Sequence, residues 1–252
     1  MADVLINARI FGRGVNFSGQ SNKVDFTVEA DEADATVFEP DNPADAGWKA
    51  RRATVLDFKA GFSGHWFAGD PSKVDDALWS GLGAVDVWTF VKGTGAVGDL
   101  AWSGQSLESK YSFLGDHGKL APFDATLNGS GPLVRGRVAH PHTVVRSAAG
   151  TGDALVFAAG IPAGNHLWAA LHVFSVGGTG TPALSVLVES DDNPAFTTPV
   201  QRLAFVPATA AQTGQLLRAA GPVTDMHYRV RWTVTGGTPS FLFAATLGVA
   251  PA

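Results

Sequence analysis

The sequence predicts a mainly β protein: a β-sandwich or barrel with one flanking α-helix over about residues 71–81, followed by a second, Ig-like or jelly-roll β-sandwich. Three observations carry this. Apolar and polar residues alternate in many segments, as at 56–66, where Leu56, Phe58, Ala60, Phe62 and Trp66 are apolar and Asp57, Lys59, Ser63 and His65 lie between them. A period of two describes a strand with one buried face. Glycine numbers 30 and proline 14, with only 16% charged residues, a composition suited to strands joined by tight turns. One stretch breaks the pattern with helical spacing: Val74, Ala77, Leu78 and Leu82 form a single apolar stripe after Asp70-Pro71, where Asp70 is expected to cap the helix and Pro71 to open it.

Taken in order, residues 4–11 read as a strand that Gly12-Arg13-Gly14 turns into Val15-Asn16-Phe17, an opening hairpin. Val24, Phe26 and Val28 alternate with Asp25, Thr27 and Glu29, a half-buried strand with an acidic outer face. From 29 to 52 the alternation fails among scattered carboxylates, Pro40 and Pro43, so a long loop is expected, with Phe38 and Trp48 as apolar anchors and Arg51 and Arg52 at its end. The strand at 54–66, the helix ending near Gly81 and Gly83, and the strand at 86–91 then follow with little slack. Residues 107–113 and 123–127 alternate on either side of Gly115-Asp116-His117-Gly118, a long hairpin, and 133–138 closes the first domain, placed at 1–141.

A small-residue, Gly-containing stretch at 142–152 is expected to be a linker, and 153–252 a second domain. Its strands are read at 166–176, 183–189, 200–206, 215–219, 227–235 and 241–249, with turns at Gly177-Gly178, Gly221-Pro222 and Gly236-Gly237 among others. One short echo, Phe17-Ser18-Gly19-Gln20-Ser21 against Trp102-Ser103-Gly104-Gln105-Ser106, reads as a turn sequence used twice.

The charge is −5 and uneven: residues 1–141 carry 13 Lys+Arg and 18 Asp+Glu, whereas 142–252 carry 5 of each. A grip on nucleic acid through phosphate neutralisation needs a basic face and is disfavoured, although DNA could slide past an acidic wall. There is no cysteine, hence no disulfide and no thiolate metal site. No apolar run is long enough to span a membrane, and no leader sequence opens the chain, so neither a membrane partner nor secretion is expected.

Catalytic and binding motifs resolve into structural readings. Gly93-Thr94-Gly95-Ala96-Val97-Gly98 has the dinucleotide spacing, but no helix can open behind it at Asp99-Leu100-Ala101, so it reads as a hairpin loop. His140 and His142 stand two apart around Pro141, more simply an accidental pair than a metal site; His65 beside Asp57 or Asp70 reads as a surface histidine. Asp191-Asp192-Asn193 reads as turn chemistry rather than calcium ligation. Of seven tryptophans, Trp66, Trp88, Trp168 and Trp232 belong in the core, and Trp48, Trp79 and Trp102 at interfaces. Neither an enzyme nor a cofactor or metal site is expected.

Several segments, in this order, are similar to one family: Asn7-Ala8-Arg9-Ile10-Phe11, the Asn16-Phe17-Ser18-Gly19 turn, the acidic 24–39 segment, the 58–66 strand, the helix around Asp75-Asp76-Ala77-Leu78, and Asn128-Gly129-Ser130-Gly131-Pro132-Leu133-Val134-Arg135-Gly136. With them, residues 1–141 resemble the tail tube proteins of long-tailed bacteriophages, and 142–252 looks like the β-sandwich modules appended to phage structural proteins. The resemblance implies a tail-tube-type β-sandwich or barrel whose subunits form six-membered rings, stacked through the long loop into a tube that DNA traverses during ejection. It implies no specific DNA binding, tape-measure and tail terminator proteins as partners, assembly in the host bacterial cytoplasm, and a final place in the virion tail. On this reading Phe38, Trp48, Arg51 and Arg52 contact the next ring, and Asp25, Glu29, Asp57, Glu108 and Asp124 are the acidic residues expected to face the lumen. The alternative from another class is a receptor or carbohydrate-binding protein that uses Trp168 or Trp232 of the C-terminal sandwich.

Overall fold

The computed structural model describes residues 5–37 and 48–251, which form an antiparallel 14-stranded sheet system with one α-helix among them. The chain opens with β1 (Ala8–Gly12) and β2 (Val15–Asn16), joined through Arg13 and Gly14, both at positive φ. The long strands β3 (Ser21–Asp34) and β4 (Arg51–His65) follow, then α1 (Val74–Gly81) and β5 (Val85–Lys92). The strands β6 (Leu100–Phe113), β7 (Pro122–Gly129) and β8 (Val134–His140) complete the first half. In the second half, β9 (Gly150–Thr151) and β10 (Leu155–Val156) are short, β11 (Asn165–Asp191) is 27 residues long, β12 (Val200–Ala204) and β13 (Thr213–Ala220) are of ordinary length, and β14 (His227–Pro251) has 25 residues.

The alternation on β4 puts Phe58, Ala60 and Phe62 inside; Ala60 and Phe62 join Phe17, Trp88, Phe123 and Leu127 in one core, and Phe58 stacks with Phe26 at 6.4 Å. Phe62 touches Phe17, Trp88 and Phe123 with ring centroids at 5.4, 5.5 and 5.7 Å. A fully buried aromatic ring of this kind contributes about 1.5–3 kcal/mol by removal from water alone. Leu56 departs from the expected pattern: it is 76% exposed, because the body of the protein ends at Phe58 and β4 continues beyond it.

The helix is shorter than the spacing suggests. Asp70 caps a preceding turn instead, accepting from the Ser72 N–H at 2.8 Å and from the Ser72 hydroxyl. Lys73 occupies the N-cap position, and the first free helical N–H, that of Val74, donates to Gln20 Oε1 at 2.9 Å. A side chain distant in sequence therefore sets where the helix starts, a partner that local capping rules cannot see. Val74, Ala77 and Leu78 pack on the sheet as the stripe predicts, while Leu82 is 49% exposed, past the helix end.

In the second half, the expected turns at Gly177-Gly178 and Gly236-Gly237 are bends inside strands. β11 and β14 run antiparallel along their whole lengths, from Asn165↔Pro251 to Asp191↔His227, with register shifts where Gly178, Gly180 and Gly236 take positive φ. The extra residues bend the ribbon so that both of its ends pack on one core; glycine reads as a stop signal locally, but here it marks bulges. The echo is likewise no repeat of structure: 17–21 contains a turn, with Gln20 N–H donating to Phe17 O at 3.0 Å, while 102–106 lies in β6.

The two halves share hydrogen-bonded strands. β8 pairs with β14 over Gly136↔Gly248 to His140↔Ala245, and 146–152 lies along β14 through Arg146↔Phe241 and β9. Between the halves sits a small apolar cluster of Phe11, Val91, Ala101, Val138 and Ala244. Beside it a buried polar chain crosses from β11 to β14: His172 Nε2 to Thr89 Oγ1 at 2.9 Å, Thr89 Oγ1 to Ser103 Oγ at 2.9 Å, and Ser103 Oγ to Thr246 Oγ1 at 2.8 Å. Burial drives the His172 ring down to about 3, so it is neutral at ordinary pH.

Candidate assembly surface

The outer face of β3, β4 and β7 gathers four of the five acidic residues singled out from the sequence. Asp25 pairs across with Gly61, Glu29 with Asp57, and Asp124 with Ser63, so all four carboxylates stand opposite the buried Phe58, Ala60, Phe62 and Ala125, and all four are exposed. Lys23, Lys59 and Lys110 share the face; Lys23 pairs with Asp25 at 3.0 Å and Lys110 with Asp124 at 3.9 Å. Glu29 and Asp57 lie directly opposite one another, and among the described residues neither has an ion-pair partner. Like charges at paired positions oppose strand pairing, so this spot favours water or a cationic neighbour.

Glu108, expected on this face, is not there. It is 1% exposed, inside the subunit beneath α1, and cannot face a lumen. The alternation that put it beside Lys110 and Ser112 is interrupted by a bulge between Glu108 and Lys110, and one inserted residue moves every side chain before it to the opposite face.

Beyond the body, β3 and β4 continue together as a two-stranded ribbon. Every residue from Glu29 to Asp34 and from Arg51 to Asp57 is exposed, so the loop expected over 29–52 is shorter than its polar composition suggests. The ladder continues to Asp34↔Arg51, and Arg52 lies opposite Ala33. Both faces of the ribbon are wet, which removes the apolar-polar alternation by which a strand is recognised. Arg51 donates to Glu32 at 2.7 Å and Lys49 lies 3.8 Å from Asp34. The Thr36 hydroxyl and backbone N–H hold the Asp34 carboxyl below its usual value. Trp48 is 77% exposed, while Phe38 falls outside the described residues. Val28, Val55 and Leu56 are exposed too, and with Pro132, Leu133 and Pro251 they line a groove of about 750 Å³ at the ribbon base.

Among the described residues, the outer edge of β3 pairs with no strand. Opposite it, the edge of β1 is covered by β2 at Phe11 and Gly12 and by the following turn at Ile10, whose C=O accepts from Phe17 N–H and whose N–H donates to Ser18 Oγ, both at 2.9 Å; among the described residues its outer side is open before Ile10. Between them runs an open groove of about 340 Å³, lined by Leu5 to Ile10 on one side and Ser21 to Val24 on the other. The barrel is thus unclosed within one chain. At the far end of β4, Trp79 is exposed on α1 and meets Phe113 edge-to-face at 6.2 Å.

The remaining sites are structural. In the glycine loop the Asp99 carboxylate accepts from the N–H groups of Gly95 and Ala96 at 2.9 and 3.0 Å, filling the place a phosphate would need. His140 is buried: its Nδ1–H donates to Phe243 O at 3.1 Å and its Nε2 accepts from Arg146 at 2.9 Å, and burial followed by the Arg146 charge brings the ring to about 4. Asp191 accepts from Asn193 and Thr198 backbone N–H groups and closes a turn. No cluster among the described residues could hold a metal ion. Trp168 and Trp232 are 7% and 3% exposed, so neither offers a stacking face to a sugar.

Neither a family model nor a curated protein matches this sequence. Among solved structures, the chain is similar to one from the virion of a native gene transfer agent particle, at 15% identity and a TM-score of 0.37, over 45% of this chain and 82% of that one. It is similar to one from the tail of an empty gene transfer agent particle, computed with C6 symmetry, at 14% identity and a TM-score of 0.40, over 50% and 92%. It is also similar to the SPP1 Dit protein, described as a hub adsorption apparatus in phages infecting Gram-positive bacteria, at 9% identity and a TM-score of 0.33, over 96% and 99%.

Proposed function

We propose that this chain is a structural, non-enzymatic subunit of a phage-type tail, which closes into hexameric rings that stack as a tube for DNA. The observation that carries the reading is β3: a 14-residue edge strand, unpaired along its outer side among the described residues, whose distal half projects with β4 out of the subunit. A free edge of this length invites association unless it is paired, and an isolated two-stranded ribbon is marginal in water. Pairing β3 to a neighbour's open edge around an axis covers it, and rings joined by heterologous axial contacts through the ribbon stack without limit. The face bearing Asp25, Glu29, Asp57 and Asp124 then lines the lumen, where carboxylates interspersed with lysines let phosphates pass without holding them. Length control and capping fall to tape-measure and terminator proteins, with assembly in the host cytoplasm. The test is negative-stain microscopy of the purified chain beside one in which a two-residue turn replaces 30–55. The full chain is expected to give rings or tubes and the trimmed chain none. A full chain that stays monomeric at high concentration refutes self-assembly, and a trimmed chain that still stacks refutes the role of the ribbon.

A further inference from the structure

Beneath the last turn of α1 the protein buries a carboxyl group that no described residue satisfies. Glu108 is 1% exposed, and among the described residues neither Oε1 nor Oε2 has a hydrogen-bond partner. Its backbone is fixed, with its N–H donating to Ala84 O at 3.1 Å and its C=O accepting from Gly83 N–H at 2.9 Å, so the side chain cannot swing out with the strand. Directly above lies Gly81, where an added Cβ would stand 2.6 Å from Glu108 Oε2 and would also clash with Arg13 Nη1. Arg13 and Glu108 therefore converge on the same bare Cα.

Arg13 is already engaged. Its Nε lies 3.0 Å from Asp86 Oδ2, and its Nη1 donates to Ala77 O at 2.9 Å, within α1. The charged and titratable groups around Glu108 are Arg13 from the β1–β2 turn, Asp86 from β5, and Tyr111 of β6, whose hydroxyl donates to Asp75 Oδ1 of α1 at 2.7 Å. Burial carries Glu108 up to about 8, against the pull of Arg13 and with a smaller push from Asp86. The carbonyl end of the helix dipole opposes a negative charge in the same place. The two carboxylates differ in one respect that matters: the Asp86 side chain is 33% exposed and can be hydrated if left alone, whereas Glu108 cannot.

We propose that Glu108 and Asp86 compete for Arg13, so that a single proton on Glu108 latches the C-terminal turn of α1 to the sheet. With Glu108 protonated, Arg13 bridges Asp86 and the Ala77 carbonyl and ties helix to strand. When Glu108 loses its proton to solvent, the buried carboxylate draws the guanidinium to itself, Asp86 turns to water, and the Ala77 contact is given up.

Two signals in the full chain read this out: the infrared C=O stretch of a protonated carboxylic acid, and the fluorotryptophan resonance that disappears in Trp79→Phe, since Trp79 sits on the latched turn. In the unmodified protein the acid band is expected to persist at neutral pH and vanish near pH 8 together with a shift of the Trp79 resonance. Glu108→Gln abolishes both changes. Asp86→Asn, which frees Arg13, moves the midpoint down by about one unit or more. Arg13→Gln leaves the band titrating, at higher pH, while the Trp79 shift disappears. Absence of an acid band at neutral pH in the unmodified chain, a reading that needs no variant to fold, overturns the proposal. So does a Trp79 shift that survives in Arg13→Gln.

Discussion

Replacing His172 by Gln tests how the two halves are held together. His172 is 1% exposed, donates or accepts through Nε2 at Thr89 Oγ1, and among the described residues has no partner at Nδ1. Its folded value, about 3, lies below the unfolded value of 6.5, so the unfolded chain binds the extra proton first. Stability therefore rises with pH through this window: the full contribution is present above about 6.5 and is lost progressively as pH falls towards 3. At about pH 5 the loss from this one ring is ~2 kcal/mol, at ~1.4 kcal/mol per unit. A glutamine amide reaches Thr89 Oγ1 from the same place without titrating. Urea unfolding near pH 7 and pH 5 should show a pH difference about 2 kcal/mol smaller in the variant than in the parent. His140, whose value is also lowered, contributes in the same direction in both proteins and cancels. Identical pH dependence in the two chains would refute the assignment of His172 as a buried neutral ring.

Two further outcomes are expected. Phe62→Ala removes a 1% exposed ring held among three aromatic partners and should cost about 3–5 kcal/mol in chemical denaturation. Asp57→Asn relieves the like-charge pairing with Glu29 and should stabilise the isolated subunit by about 0.2–1 kcal/mol in thermal melts, most strongly at low salt.

Periodicity made the core of the first half legible. Phe58, Ala60, Phe62, Val74, Ala77, Leu78, Phe123, Ala125 and Leu127 are buried where the alternation or the helical stripe places them. Features fixed by distant partners were not legible. The start of α1 depends on Gln20, 54 residues away, and the inward turn of Glu108 depends on a bulge with no local signature. The distal ribbon carries no periodic signal because strands that are wet on both faces lose their alternation, and β11 and β14 each read as two strands because bulge glycines look like turn glycines. On the acidic face, Asp25, Asp57 and Asp124 each adjoin a partly or fully buried apolar residue in sequence, whereas Glu29 lies between exposed Val28 and Ala30 and reaches the face by pairing with Asp57.

The placement of β14 bears on how the protein reaches its fold. In the sheet order it stands between β11 and β8, at the centre rather than at an edge, although it is synthesised after every strand it joins. β8 pairs with residues more than 100 positions downstream, so during translation its edge waits unpartnered until β14 arrives, and Ser103 has Thr89 but not yet Thr246 as a hydroxyl partner. Contacts of such separation close slowly. The nascent first half therefore spends its longest interval with an open strand on the side that later becomes interior, and a ribosome stalled before residue 227 would leave that edge free to pair with another copy.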